Sequence, residues 1–464
     1  MNSHFILGYG REVSARTRWQ RLVYTMPIFG AALEQWIWRP YEISTHGADS
    51  PSIFVVAAGG KGKTLLGDSL CEAALAQGAL VLLNGGGPLY TYFVRRAARD
   101  RMAPERVCLV EPSYRTDDLG SPLLHWLQPL PGYKPEEVVE AFVSDTLTMS
   151  HRISSPGPRQ ADLAYYLFRL LQLEQRPVSD LHTVLYNVPV RQAWIDRCPE
   201  KDTREYWQYF TSKLNPNQQA TWLSPVANKW SPVLRSPFTS GMFSTTESTV
   251  HLERIINTKG MALAVELSSE RLGTEVAETL AQVFFSRLKL AILQRASIPP
   301  AARVPLTVIV DEYSLIRSTV IPLLYRLVRN MNVTIIVMLQ DMSVFDEEQL
   351  RAILGSTGTI LAMGCGEKEA ERLCLELYRP SGTKRKSWKD ERYYSPNEEM
   401  YQFYDLLSKD KQKPRQAICL VNPKGLFFLK TPERTEPVAD PVREAQFKEA
   451  VAAFWWARPV HTAH

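Results

Sequence analysis

A glycine-rich turn that follows an apolar run is the feature that most constrains this chain. Residues 52–66 read SIFVVAAGGKGKTLL, which predicts a buried strand, a tight turn and the first turn of a helix. From Ala57 to Thr64 the segment matches the phosphate-binding loop pattern G-x-x-x-x-G-K-[ST] at every defined position except the first, where alanine replaces glycine. A chance glycine turn with an incidental lysine would not need this ordered strand, loop and helix. The sequence therefore favours a nucleotide site.

The residue types of this loop suit the binding of nucleotide phosphates. Glycines have no Cβ, so the backbone can curl and direct N–H groups at phosphate oxygens. The positive end of the following helix adds to the attraction. Lys63 is expected to reach the β- and γ-phosphates, and the hydroxyl of Thr64 is expected to hold Mg²⁺. The predicted nucleotide-binding residues are Gly59, Gly60, Lys61, Gly62, Lys63, Thr64 and Leu65.

Length and composition indicate a globular protein with more than one domain. The 464 residues exceed one typical domain, and 45% hydrophobic with 22% charged residues is ordinary for a folded chain. The net charge of +5 permits an anionic partner without requiring one. Six scattered cysteines without a C-x-x-C pair indicate reduced thiols in the cytoplasm, not a zinc site or a disulfide framework. No apolar run approaches the roughly 20 residues of a membrane-spanning helix, so we expect no integral membrane segment.

Strand and helix patterns alternate on both sides of a long helical stretch. Short apolar runs separated by amphipathic segments predict an α/β protein with a mostly parallel central sheet covered on both faces. The predicted strands span 53–58, 79–83, 106–110, 260–267, 306–310, 333–339, 359–363, 416–421 and 426–429, and the last two form a hairpin.

This pattern divides the chain into four predicted parts. The nucleotide-binding domain comprises 45–130 and 236–435, and an all-helical insertion, 131–235, interrupts it. Residues 436–464 form a C-terminal helix and tail. Residues 1–44 are expected to form an N-terminal helical arm, for which a segment lying at a membrane interface is the alternative.

A second chemical feature lies at the end of the run Leu306–Val310. Two carboxylates follow this run, and in nucleotide hydrolases such a strand lies beside the phosphate-binding loop. Asp311 is then expected to hold Mg²⁺ through water, and Glu312 to orient and deprotonate the attacking water. A strand that simply ends in a solvated acidic turn is the alternative.

Two further residues near the next strand are candidates for catalysis. Gln340 follows the run Val333–Leu339, where an amide can contact the γ-phosphate and a mobile element; an ordinary polar cap on the strand is the alternative. Arg329 ends the preceding predicted helix. It either reaches the γ-phosphate of a neighbouring subunit or is simply a cation at a helix C-terminus. With Glu312, these two residues complete the predicted catalytic set.

Taken in order, these motifs resemble those of the conjugative type IV coupling proteins (TraG/TraD-like) of the FtsK–HerA superfamily of hexameric DNA-pumping ATPases. The resemblance covers roughly residues 45–435, the predicted helical insertion included. It rests on Ala57–Thr64, on Val308–Glu312 and on the spacing from Arg329 to Gln340. The chain departs from the family in three features. Alanine occupies position 57, glycines replace an acidic residue after the second strand, and the pair of N-terminal membrane helices typical of the family is missing.

The resemblance implies a RecA-like nucleotide-binding domain that uses ATP and Mg²⁺. It also implies a homo-oligomeric ring, a hexamer in that family, which moves DNA, single-stranded in preference to double-stranded. Relaxase or secretion-channel proteins are the implied partners, and the implied location is cytoplasmic, with peripheral attachment to the inner membrane through partners. Two alternatives stay open: a nucleotide-gated scaffold with little turnover, which Ala57 favours, and a soluble double-stranded-DNA motor in phage defence or DNA processing.

Candidate DNA contacts are less distinct than the nucleotide site. One basic cluster falls on a predicted helix and comprises Arg95, Arg96, Arg99 and Arg101. The other is the loop Lys384–Lys389, in which Trp388 could stack on a base. A solvated surface or a contact between subunits is the alternative for each cluster.

Overall fold

The computed structural model describes residues 5–12, 41–45, 50–112, 121–147, 158–316, 318, 320–327, 330–377, 414–422 and 425–457. Its strands are β1 (Ile6–Glu12), β2 (Tyr41–Ser44), β3 (Ile53–Ala57), β4 (Ala79–Asn84), β5 (Val107–Val110), β6 (Ser121–Pro122), β7 (Ala262–Glu266), β8 (Leu306–Asp311), β9 (Val333–Leu339), β10 (Thr359–Met363), β11 (Gln416–Val421), β12 (Gly425–Lys430) and β13 (Trp456–Ala457). Eleven of them form one sheet, in the order β2-β1-β12-β11-β10-β3-β9-β8-β4-β7-β5, and β6 pairs with β13.

The α-helices lie between and around the strands. They are α1 (Lys63–Gln77), α2 (Leu89–Arg99), α3 (Pro135–Leu147), α4 (Pro158–Leu173), α5 (Leu181–Tyr186), α6 (Val188–Arg197), α7 (Lys201–Lys213), α8 (Pro216–Arg235), α9 (Leu252–Ile256), α10 (Ser269–Leu272), α11 (Thr274–Gln294), α12 (Val320–Leu327), α13 (Glu347–Ser356), α14 (Glu367–Leu377) and α15 (Pro441–Trp455).

The parallel part of the sheet consists of β10, β3, β9, β8, β4, β7 and β5. Every residue of these seven strands is buried. Successive side chains of a strand point to opposite faces, so burial of all of them means that both faces of the sheet are covered. The predicted α/β fold with a mostly parallel central sheet is therefore confirmed.

Four antiparallel strands extend the sheet beyond β10. β11 and β12 pair with each other in register from Gln416↔Lys430 to Val421↔Gly425, which confirms the predicted antiparallel pair. β1 pairs with β12, and β2 forms the edge. The backbone groups of β12 are thus paired on both sides, and they are not left as an open edge.

The predicted helical arm over residues 1–44 is wrong at both of its described ends. Ile6–Glu12 and Tyr41–Ser44 are strands. Phe5 and Leu7 are buried whereas Ile6 is 49% exposed, which is the two-residue alternation of a strand and not the helical period. Residues 13–40, on which the membrane-interface alternative depended, lie outside the described residues.

The described residues from Pro135 to Arg235 form helices joined by short connections and contain no strand. Its aromatic side chains form a core in which the rings of Phe142 and Trp230 stack at 5.3 Å. The buried ion pair between Lys289 and Asp145, with Nζ 2.7 Å from Oδ1, joins α11 to α3. Helix α8 contains interior prolines that normally end a helix, which explains why sequence patterns did not indicate it. The domain boundaries remain a prediction.

Five cysteine side chains lie within the described part of the chain. The described cysteine thiols are free and buried; they are Cys71, Cys108, Cys198, Cys365 and Cys419. Across the same residues, no group of three or more histidine, cysteine or carboxylate side chains is arranged to hold a metal ion. None of the described helices combines the length and the apolar character needed to cross a membrane.

Candidate nucleotide-binding site

The phosphate-binding loop lies at the carboxyl end of β3, which is the central strand of the eleven-stranded sheet and pairs in parallel with β10 and β9. Residues 58–62 connect β3 to α1, and the Ala58 N–H donates to Gly364 O at 2.9 Å, which ties the loop to the end of β10. Gly60 has φ +74° and Gly62 has φ +96°, a left-handed conformation that glycine adopts at little cost. At Gly59 and Gly60 an added Cβ would meet no described atom within 4 Å, so there is space beside these two glycines.

Lys63 is the first residue of α1, and its side chain is 8% exposed. Its Nζ lies 3.3 Å from Asp311 Oδ1 and also donates a short hydrogen bond to Glu312 Oε1. Thr64 and Leu65 follow on the first turn of α1 and are half-buried. The loop lysine and the two carboxylates therefore meet, as the sequence patterns predicted for strands that end at the same edge of a sheet.

Asp311 carries the most deeply buried carboxylate of the site, at 1% exposure. Its Oδ1 faces the ammonium group of Lys63, and its Oδ2 lies against the turn after β4. Burial raises the pKa of Asp311 above its ordinary value, and the nearby charge of Lys63 acts in the opposite direction. A buried carboxylate and a threonine hydroxyl at a helix start are oxygen ligands of the kind that suits a hydrated Mg²⁺ ion.

Glu312 has φ +50°, a conformation that few residues with side chains adopt. Its side chain is 12% exposed, and Oε1 accepts a hydrogen bond from Gln340 Nε2 at 2.9 Å as well as from Lys63. Gln340 itself is exposed at the end of β9. Backbone strain of this kind is tolerated where the surroundings fix it, and it recurs at functional sites.

Three further parts of the site were not predicted. Gly85 and Gly87, in the turn after β4, pack against the backbone and side chains of Asp311 and Glu312. The run of three glycines was a visible signal, although the sequence patterns gave it no role. Arg415 donates from its backbone N–H to Lys61 O at 2.9 Å, and no sequence signal indicated this contact.

The predicted arginine residues have different outcomes. Arg329 and the basic loop Lys384–Lys389 lie outside the described residues, so their roles remain predictions. In the basic cluster of α2, Arg96 pairs with Asp68 of α1 and Arg95 pairs with Glu444 of α15. These ion pairs give the two arginines an intramolecular role that does not require DNA.

The strand order, the glycine-rich loop and the paired carboxylates define a P-loop nucleotide-binding protein with a RecA-like fold. Three solved structures are similar to this chain, each at 13% sequence identity. The unbound form of the bacterial conjugative coupling protein TrwBdeltaN70 has a TM-score of 0.58, and the match covers 95% of this chain and 96% of that chain. TrwB in complex with ADP and Mg²⁺ has a TM-score of 0.55, with 84% of this chain and 87% of that chain covered. VirB4 of Thermoanaerobacter pseudethanolicus has a TM-score of 0.52, with 95% of this chain and 97% of that chain covered.

At this level of identity the likeness shows a shared fold. It confirms the fold that the motif order predicted and the resemblance to coupling proteins at the level of fold. No protein-family model matches the chain, and a search of curated proteins finds no match.

Proposed function

We propose that this protein hydrolyses ATP with the help of Mg²⁺. The observation that carries the proposal is the meeting of Lys63, Asp311, Glu312 and Gln340 at the carboxyl edge of the sheet, next to the phosphate-binding loop. The structure of TrwB with ADP and Mg²⁺, which has the same fold, supports the choice of ligands.

Each residue has a distinct part in the proposed binding. The loop from Gly59 to Gly62 directs backbone N–H groups at the β-phosphate, and Lys63 leaves its carboxylate partners to contact the β- and γ-phosphates. Thr64 and Asp311 would hold Mg²⁺. When bound, the metal ion neutralises charge that develops on the phosphate oxygens.

Glu312 is the proposed general base of the reaction. Its carboxylate accepts a proton from water while the water oxygen forms a bond to the γ-phosphorus and the bond to the departing ADP oxygen breaks. Gln340 donates to the same carboxylate and so orients it relative to the attacking water. Arg329 of a neighbouring subunit is proposed to stabilise the charge on the transferred phosphoryl group.

We further propose that the hydrolysis drives DNA through a ring of subunits, six in number, in a conjugation or mobile-element transfer system. The fold shared with a conjugative coupling protein and with VirB4 supports this proposal. Single-stranded DNA is the preferred cargo in this scheme, with relaxase or secretion-channel proteins as partners. The protein would then work in the cytoplasm, at the inner membrane where such partners are present.

The alternative of a nucleotide-gated scaffold depends on Ala57. This residue is the buried last residue of β3, paired with Met363, and its φ is not positive. A backbone that does not need glycine accepts alanine without strain, because the penalty for a Cβ is confined to left-handed conformations. Ala57 therefore gives no structural reason for lost turnover, and hydrolysis is the better-supported function.

Steady-state ATP hydrolysis with and without DNA tests the proposal. The wild-type protein, Lys63→Ala and the control Lys201→Ala, an exposed lysine at the start of α7, are compared at equal concentration. We expect DNA-stimulated turnover in the wild type and the control and none in Lys63→Ala. ATP binding without turnover in the wild type would instead support the gated scaffold. Stronger stimulation by double-stranded than by single-stranded DNA would support the double-stranded-DNA motor.

A further inference from the structure

Three polar residues end three neighbouring strands beside the proposed catalytic carboxylates. In the sheet register Asn84 of β4 lies opposite Asp311 of β8 on one side and opposite Glu266 of β7 on the other. Asn84 is completely buried, and Glu266 is 9% exposed. A buried polar side chain at such a position needs hydrogen-bond partners, and those partners show what it does.

The side-chain amide of Asn84 makes two hydrogen bonds. Nδ2 donates to Gly87 O at 2.8 Å and to Glu266 Oε2 at 2.8 Å. Both partners are acceptors, so the amide is oriented with its nitrogen towards them, and both of its N–H groups are used. Asn84 thus fixes the carbonyl of Gly87 relative to the end of its own strand.

The turn that Asn84 fixes packs directly on the catalytic carboxylates. The Gly85 N–H donates to Asp311 O at 2.9 Å. A Cβ placed on Gly87 would lie 2.9 Å from Asp311 Oδ2 and 3.3 Å from Glu312 Cγ. Any displacement of the turn towards β8 would therefore push the two carboxylates, and any displacement away from it would remove the wall against which they rest.

We propose that Asn84 is a positioning residue for hydrolysis, which holds the turn from Gly85 to Gly87 against Asp311 and Glu312 and so sets the geometry of the metal ligand and the general base. Glu266 is its anchor, because it occupies the second N–H of the amide. This inference rests on the proposed ATPase function, since it concerns the same site.

The surroundings of Glu266 suit an anchor. Besides Asn84, its carboxylate faces the backbone N–H of Ser268, the charge of Glu111 from the end of β5 and the charge of Arg271 from α10. Arg271 also contacts Glu111, with Nη1 3.3 Å from Oε1. The anchor is thus held by groups from β4, from α10 and from the ends of β5 and β7.

The variant Asn84→Asp tests the inference because it keeps the shape of the side chain and removes both donors. The matched control is Asn332→Asp, because Asn332 directly precedes β9 and so lies at the amino end of the parallel strands, away from the proposed site. The amide of Asn332 likewise donates to a backbone carbonyl, Arg303 O, at 2.8 Å, and its Oδ1 is likewise buried without a partner. We expect kcat to fall about tenfold or more in Asn84→Asp, because small misplacements of catalytic groups are costly. ATP affinity measured without metal should stay at the wild-type level, and the Mg²⁺ concentration for half-maximal turnover should rise.

A double variant separates positioning from stability. In Asn84→Asp/Glu266→Gln the new glutamine amide can donate to the new carboxylate, so the bond between positions 84 and 266 returns while the Gly87 carbonyl still lacks its donor. We expect the melting temperature to recover relative to Asn84→Asp while kcat stays low. Recovery of kcat together with the melting temperature, or wild-type kcat in folded Asn84→Asp, would overturn the inference. A wild-type protein without turnover in the same assay would refute the proposed function, and this inference with it.

Discussion

Lys63 and Glu312 form a buried ion pair that joins the start of α1 to the end of β8. The same carboxylate oxygen of Glu312 therefore accepts two hydrogen bonds, one from the ammonium group of Lys63 and one from the side-chain amide of Gln340. In the proposed mechanism Lys63 exchanges this partner for phosphate oxygens when a nucleotide binds. The charge of Glu312 would then oppose nucleotide binding while it serves the proposed chemistry.

Replacing Glu312 by glutamine should separate these two effects. Glu312→Gln keeps the shape of the side chain but removes the base and the charge that holds Lys63. We expect turnover to fall by about 10²–10⁴-fold, the usual effect of losing a general base, while ATP affinity does not fall. Steady-state hydrolysis and equilibrium binding of a fluorescent ATP analogue would measure both. Glu347→Gln, at an exposed glutamate in the first turn of α13, is the control. Near-wild-type turnover in Glu312→Gln would show that Glu312 is not the base.

A single methyl group at Gly87 should disturb the metal site. The φ of Gly87 lies outside the left-handed region, so Gly87→Ala meets no backbone penalty, but its Cβ would be 2.9 Å from Asp311 Oδ2. The carboxylate has to move, and we expect turnover to fall about 10–100-fold, with a higher Mg²⁺ requirement. Gly355→Ala is the control, because its added Cβ would meet no described atom within 4 Å and alanine favours the helix α13. Equal turnover in the two variants would argue against contact between the turn and the metal ligand.

Mixing two inactive proteins tests whether Arg329, which lies outside the described residues, acts on a neighbouring subunit. We expect Arg329→Ala to bind ATP normally and to lose about 10³-fold or more in turnover. Lys63→Ala should be inactive as well. In mixed rings, a site with Lys63 from one protein and Arg329 from the other is complete. An equal mixture should then recover about a quarter of the wild-type rate, since each site draws its two subunits at random. Wild-type turnover of Arg329→Ala alone would leave this residue with a helix-end role.

The sequence predicted that the loop lysine and the two carboxylates lie close together, whereas their roles remain predictions. Lys63 belongs to a recognisable loop pattern, and Asp311 and Glu312 directly follow an apolar run. The carboxyl ends of parallel strands meet at one edge of a sheet, so the pattern of apolar runs also brings Gln340 to this edge. The confirmed central strands are those that read as continuous apolar runs, because both faces of such a sheet are buried.

What could not be predicted depends on contacts between residues far apart in the chain. The hydrogen bond between Asn84 and Glu266 joins positions 182 residues apart, and neither residue belongs to a motif. The strand Ile6–Glu12 is formed by pairing with β12, more than 400 residues away in the chain, and its own sequence gives only a weak strand signal. Such contacts are set by the assembled sheet and leave no local period in the sequence.

The buried Glu266 should make stability depend on pH in an unusual direction. Burial, followed by the charge of Glu111, raises its pKa from the ordinary 4.5 to about 7, although the hydrogen bond from Asn84 acts against this shift. Between these two values the folded protein binds more protons than the unfolded chain, so the free energy of unfolding falls as the pH rises through this window. Glu266→Gln does not titrate. Its stability relative to the wild type should therefore be greater at pH 8 than at pH 4.5, by about 3 kcal/mol or less, since one pKa unit corresponds to about 1.4 kcal/mol.

Glu200→Gln is the matched control with the opposite sign. Hydrogen bonds from Arg169 lower the pKa of Glu200, so this carboxylate stabilises the fold above its ordinary pKa and loses that contribution as the pH falls. Chemical denaturation at both pH values would measure the two variants against the wild type. Glu200→Gln should be destabilising, and more so at pH 8 than at pH 4.5. If Glu266→Gln showed the same pH trend as Glu200→Gln, Glu266 would be stabilised as an anion by Arg271 and Asn84, and burial would not dominate its titration.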